Sequence, residues 1–325
     1  MKYQAPRRNS AYAEIIQLKK RPKNRNLKIF VVEGITDKVL FEYLLMEYRG
    51  KFRIIPSYQE HYIKIPCSGM SSTRETPMIT SKYNKNKSIR RNNKGNVIKT
   101  IKSCNTNQVN YVYGIVDADF MHLSGKKRKI DNLLYTTYHD IDIEIFTALG
   151  VLENFLKGAF PDRKLQVDWI RDLCLEIAAE YGKYLYILER KRIHSRHRNE
   201  KGFSLRYLLL VKDSDISLDF QLINTLIHDN WNIPNSNILN EIERLHLNKK
   251  ELKMLANGHD FFTILWKIKE TNLFDFSKFP QDSELLNLNI HECEKKLKLC
   301  YIQTEMLEKN FWNKISSIVL KNNIN

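Results

Sequence analysis

The chain has 325 residues, with 53 Lys or Arg against 37 Asp or Glu, a formal net charge of +16 at pH 7. So basic a balance favours a polyanionic partner, nucleic acid first. Five cysteines without a Cys-x-x-Cys pair count against a disulfide framework, no apolar run approaches the length of a membrane span, and Met1-Lys2-Tyr3 does not open a signal peptide, so a cytoplasmic protein with no membrane contact is expected.

Residues 1–26 form a basic arm with Arg7, Arg8, Lys19, Lys20, Arg21, Lys23 and Arg25 around a short helix, Ala11 to Leu18. It reads either as a phosphate-contacting arm or as a solvated cap on a sheet edge. Lys28 to Val32 is an apolar, β-branched run of strand length that ends at Glu33. Gly34 suits a sharp turn with positive φ, and Thr36 or Asp37 can cap the helix that follows, with Val39, Leu40, Tyr43 and Leu44 on its apolar face. A carboxylate at the mouth of a buried strand, with Asp37 four residues on, calls for a cation or for hydrogen-bond donors. Two extended candidates follow, FRIIP and HYIKIP, ended by Pro56 and Pro66; one is expected to be the second strand.

Residues 67–94 read as an insertion rich in Ser, Thr, Asn and Lys, with Lys82, Tyr83, Lys85, Lys87, Arg90, Arg91 and Lys94. It is either a phosphodiester-binding lid or a plain surface loop. A short helix from Val97 to Ile101 leads to a second buried strand, Tyr111 to Val116, which ends in Asp117-Ala118-Asp119. On an extended chain, alternation turns Asp117 and Asp119 the same way. Their charges then repel unless a divalent cation sits between them, and Mg²⁺ is the ion that such oxygen ligands suit. His122 and the run Lys126, Lys127, Arg128 and Lys129 follow, placed to hold a nucleic-acid backbone. A third acidic group, Asp140, Asp142 and Glu144, opens a helix expected over Tyr135 to Leu156 with a stripe of Ile141, Ile145, Ala148, Leu149, Leu152 and Leu156.

From about residue 160 the pattern is helical: 166–188, 237–256, 261–270 and 284–320. Trp169, Trp231, Trp266 and Trp312 are expected to supply core mass, and Leu297 to Ile315 carries a helical apolar stripe. A second basic tract over 189–206, with Arg192 and Arg196 among its cations, can meet phosphate or an acidic partner. Gly258-His259-Asp260 reads most simply as a turn and helix cap, with a role in the site as the alternative. His291, Cys293 and Cys300 lack the spacing and the fourth ligand of a zinc site.

Glu33-Gly34-x-x-Asp37 after a first strand, Asp117-x-Asp119 after a later one and a further Glu at a helix start resemble the Toprim domain of topoisomerases, bacterial primases and related nucleases. Gly95-Asn96-Val97 and Gly258-His259-Asp260 are further similar to the stand-alone Toprim-like effectors of antiphage defence, the AriB type of PARIS systems. The resemblance covers residues 27 to about 150. It implies an α/β fold, a Rossmann-like, mostly parallel sheet flanked by helices over 27–158, followed by a mainly helical C-terminal domain over 159–325.

It also implies a Mg²⁺-dependent nuclease, with Mn²⁺ as a substitute. Glu33, Asp117 and Asp119 are the expected catalytic residues. Glu33, Asp37, Asp117, Asp119 and Glu144 are the expected metal ligands, with Asp140 and Asp142 as alternatives. Arg90, Arg91, Lys126, Lys127, Arg128, Lys129, Arg192 and Arg196 are the expected nucleic-acid contacts. RNA, including tRNA, is the implied substrate class ahead of DNA. A separate ABC-type ATPase is the implied partner, since the chain has no Gly-x-x-x-x-Gly-Lys-Ser/Thr loop, and a homodimer is implied as well. A weakly catalytic Toprim-like module that binds nucleic acid or nucleotide as a sensor is the alternative.

Overall fold

The computed structural model describes residues 11–57, 93–125, 129–148, 150–159, 167–193, 203–212, 215–233, 235–245, 247–268 and 309–320. Four strands, β1 (Lys28–Val32), β2 (Phe52–Pro56), β3 (Val112–Val116) and β4 (Leu133–Tyr135), form one parallel sheet in the order β2-β1-β3-β4. All five residues of β1 are buried, as both faces of a central parallel strand must be. Ile29 and Val31 pack with Val97 and Ile101 on one face; Phe30 and Val32 pack with Leu40 and Phe41 on the other.

That alternation sorts the helices. The first face carries α1 (Ala11–Lys19) and α3 (Asn93–Thr106), the second α2 (Ile35–Leu44). β1 connects to β2 on one side, and the chain then returns past β1 to β3 on the other. Crossovers in opposite directions put α2 and α3 on opposite faces when both are right-handed. They leave a topological switch point between β1 and β3, and ligands of open α/β sheets bind outside the carboxyl ends of the strands at that point. α1 is a cap on the first face: Ala11 and Ile15 are buried there, and the Lys19 ammonium donates to the carbonyls of Arg25 (2.9 Å) and Leu27 (2.7 Å).

Beyond β3 the chain forms α4 (Met121–Ser124), α5 (Ile141–Phe146), α6 (Val151–Ala159) and the long α7 (Val167–Arg190). A short helix, α8 (Leu205–Leu208), leads into an antiparallel hairpin of β5 (Leu209–Lys212) and β6 (Asp215–Leu218). Five helices complete the described chain: α9 (Phe220–Trp231), α10 (Asn235–Glu243), α11 (Lys249–Leu255), α12 (Gly258–Ile268) and α13 (Lys309–Leu320). The core under the second sheet face runs without a break from Phe30 through α5 and α7 to Phe261, Phe262 and Trp312. No helix among the described residues is long and apolar enough to cross a membrane.

Several expectations are corrected. Helix α2 is rotated: Leu40, Phe41 and Leu45 face inward, while Val39 and Tyr43 are 61% and 44% exposed, because Phe41 turns in to meet the Trp312 ring at 5.5 Å. Gly34 has φ −138°, extended backbone open to any residue, so the turn does not depend on positive φ. Helix α3 starts at Asn93, so Lys94 belongs to it and not to an insertion; residues 58–92, with the HYIKIP segment, lie outside the described residues. Tyr135 ends β4, and the helix expected through Leu156 is broken into α5 and α6 around Gly150, whose φ of +84° no helix accommodates. The 237–256 helix is likewise two, α10 and α11. The β5–β6 hairpin, too short to stand out, interrupts the helical half. Trp169 is 46% exposed, since α7 turns Ile170 and Cys174 inward instead. Residues 269–308, with most of the expected last helix, lie outside the described residues.

Candidate active site

Buried strands β1 and β3 run side by side, and each continues into a carboxylate. Glu33 follows β1 and Asp117 follows β3, so the two emerge together at the switch point. The Asp117 amide donates to Glu33 Oε1 at 3.2 Å. Ser57, just past β2, donates from its hydroxyl to the carbonyls of Glu33 (2.9 Å) and Asn93 (3.2 Å), tying three element ends into one rim. Asp37, in the first turn of α2, accepts from the Gly34 amide at 2.8 Å, which fixes its carboxylate beside the turn.

Asp119 reaches the cluster by a different route from the one expected. Strand β3 ends at Val116, and Asp119 has φ +47°, so strand alternation does not aim it. Its amide donates to the His139 carbonyl at 2.7 Å, which holds this left-handed turn. Lys94, in the first turn of α3, donates from Nζ to Asp119 Oδ2 and to the Asp117 carbonyl, both at 2.5 Å.

Behind this rim lies a buried pair. Asp140 caps α5, accepting from the Ile143 amide at 2.8 Å, and its Oδ2 meets His139 Nδ1 at 3.2 Å. The Gly258 amide, at the start of α12, also donates to Asp140 Oδ2 at 3.1 Å. An amide-rich helix start suits a buried carboxylate. Asp117 in turn accepts from the Ile141 amide at 3.3 Å, so α5 spans both layers.

The protonation of these groups reflects their crowding. Burial pushes Glu33 up to about 7; Asp119 and Asp37 add to the shift, while the Asp117 amide and Lys94 oppose it. Burial also raises Asp117 well above the carboxylate range, reinforced by Asp140, Glu33, Asp37 and Asp119. Burial disfavours the charged forms of His139 and Asp140, but their mutual hydrogen bond and attraction prevail, so His139 is raised and Asp140 lowered. Asp140 and His139 form a hydrogen-bonded pair in which each favours the charged form of the other; Glu33 and Asp117 are carboxyl groups short of positive charge.

The expected site residues separate on this geometry. Glu33, Asp37, Asp117 and Asp119 come together, and Asp140 stands next to Asp117. Glu144 is buried, and its Oε1 accepts from the amides of Thr137 (2.5 Å) and Tyr138 (3.4 Å), bracing the β4–α5 loop. Lys129 is exposed, as is Arg192, whose φ is +62°. Its neighbours Arg190 and Lys191 pair with Glu241 at 3.7 and 2.8 Å, so that part of the second basic tract binds its own fold. Arg90, Arg91, Lys126, Lys127, Arg128 and Arg196 lie outside the described residues. Sequence reasoning counted Lys94 only among the cations of the 67–94 segment, missed His139, and read Gly258-His259-Asp260 first as a turn and helix cap, with a role in the site as the alternative. The available signals were position alone: Lys94 directly precedes Gly95-Asn96-Val97, and His139 directly precedes Asp140.

Among the described residues no group of three or more His, Cys, Asp or Glu side chains is already set as a metal cage. The donor set nonetheless fits a hard divalent cation: carboxylate oxygens, partly buried, in which burial first and mutual repulsion second raise Glu33 and Asp117. The chain matches no protein-family model and no curated protein.

Proposed function

We propose that the chain is a divalent-cation-dependent phosphodiesterase of Toprim type that cuts nucleic acid, RNA such as tRNA ahead of DNA. The observation that carries this reading is the meeting of Glu33 and Asp117, 84 residues apart, at the switch point, both with raised affinity for protons. Glu33, Asp117 and Asp119 would hold Mg²⁺ or Mn²⁺, with Asp37 beside them. The chemistry such an ion supplies is stabilisation of charge on phosphate oxygens and a lowered pKa for water. Glu33, poised near neutrality, is suited to hold or release a proton beside the scissile phosphate. The net charge of +16 supports a polyanionic substrate. The biological setting proposed, a cytoplasmic toxic effector of antiphage defence that dimerises and is released by a separate ABC-type ATPase, rests on the Toprim resemblance alone.

The test is incubation of purified protein with total RNA and with plasmid DNA in Mg²⁺, Mn²⁺ or EDTA, beside Glu33→Gln and Asp117→Asn. Cutting that needs the ion and is lost in both variants supports the reading; cutting that survives either substitution overturns it. One observation favours a second reading, a binding or sensor module: Lys94 already pairs with Asp119, so one acid of the rim is neutralised by the chain's own cation. Stabilisation by cations and retention of nucleic acid without cutting, even after co-expression with the ATPase, would select that module.

A further inference from the structure

The cation that meets the carboxylate rim is a lysine of the chain itself. Its Nζ lies 2.5 Å from both Asp119 Oδ2 and the Asp117 carbonyl, oxygens of two of the residues expected to ligate the ion. The Lys94 side chain is 17% exposed and that of Asp119 is 48% exposed, so the pair forms the open edge of the cluster. The deeper edge is closed, where Asp117 accepts from the Ile141 amide and Asp140 from Gly258. Asn93, the residue before Lys94, is anchored through its carbonyl to Ser57.

We propose that Lys94 is an internal counter-ion that keeps the place of the divalent cation, is displaced when the cation binds, and then moves to a phosphate of the nucleic acid. The inference rests on the phosphodiesterase reading above. A like charge cannot stay in contact with an incoming dication in a partly buried site, because their repulsion there is little screened. A flexible ammonium released beside that site is a point-charge phosphate ligand. One residue thus serves two states: it tempers the repulsion among the acids when no ion is present, and it binds substrate when one is.

Direct Mn²⁺ titration of the full chain, by calorimetry or by the spin-resonance signal of free Mn²⁺, tests this on the parent, Lys94→Met, Lys94→Arg and Asp117→Asn. The methionine variant keeps the stem and loses the charge, so it is expected to bind Mn²⁺ about tenfold more tightly. The arginine variant keeps the charge and is expected to stay at the parental affinity. At saturating Mn²⁺ the methionine variant is expected to cleave at least about tenfold more slowly, with a salt dependence of RNA binding shallower by about one phosphate contact. Unchanged or weaker Mn²⁺ binding by Lys94→Met, with the parent binding and Asp117→Asn not, overturns the inference and leaves the phosphodiesterase reading in place. So does an arginine variant that tightens as much as the methionine one. If neither parent nor Lys94→Met binds Mn²⁺, the metal reading falls, and this inference with it.

Discussion

Glu33 and Asp117 bear the cost of the site, since each is buried among other carboxylates and each holds its proton more strongly than in an unfolded chain. Between the ordinary Glu value of 4.5 and about 7, the folded protein binds a proton at Glu33 that the unfolded chain has released. Stability from this group is therefore greatest at low pH and falls as pH rises through that window, by on the order of 3 kcal/mol. Asp117 and His139, both raised, slope the same way; Asp140, lowered, loses its contribution only as pH falls. Denaturant titrations in EDTA are expected to show lower stability at pH 7.5 than at pH 5. Glu33→Gln is expected to flatten that slope and to be the more stable protein at pH 7.5, and Mn²⁺ to stabilise the parent there. Glu33 and Asp117 were legible because each directly follows an apolar run of strand length. Lys94 was not, because one lysine among many basic residues carries no mark of the carboxylate it meets, 25 positions away at Asp119.

Two helices decide how the site is held. In α2 the sequence pointed to the face of Val39, Leu40, Tyr43 and Leu44, and the one that packs is the face carrying Leu40 and Phe41. Val39→Lys is expected to change stability by less than about 0.5 kcal/mol, while Phe41→Ala is expected to cost about 3–5 kcal/mol. Thermal melts of the two variants check the orientation, and a large loss for Val39→Lys would refute it. At the start of α12, a Cβ on Gly258 would lie 2.3 Å from Asp142 Cβ and 2.7 Å from the Ile143 amide nitrogen. Gly258→Ala must therefore push α12 off α5, costing about 1–3 kcal/mol. It would also draw the Gly258 amide from Asp140, so cleavage is expected to fall by more than the loss of folded protein explains. The glycine was visible in the sequence, but its reason is the close approach of Asp142 on α5, a residue far away in the chain.

At the scale of the whole molecule, the sheet does not bury its second face alone. Phe120 meets Tyr186 at 5.5 Å, Phe146 meets Phe261 and Phe262 at 6.1 and 5.9 Å, and Phe41 meets Trp312. A fragment ending at residue 159 would expose that apolar face, so it is expected to aggregate or to lack a cooperative melt, whereas the full chain is expected to melt in one transition. A soluble fragment with its own sharp melt would show that the helical half is dispensable. The sequence by itself determined the strand-carboxylate units, their burial and the helical character of the second half, because strand runs and helical stripes are local patterns of polarity. The tertiary structure alone decided which face of α2 turns inward, where the 135–156 segment breaks, that His139 partners Asp140, and that Lys94 closes the rim. The packing face of α2 and the Lys94 contact depend on which distant surfaces fit together, and the break at Gly150 and the His139–Asp140 pair on backbone and side-chain conformation; local periodicity holds no record of either.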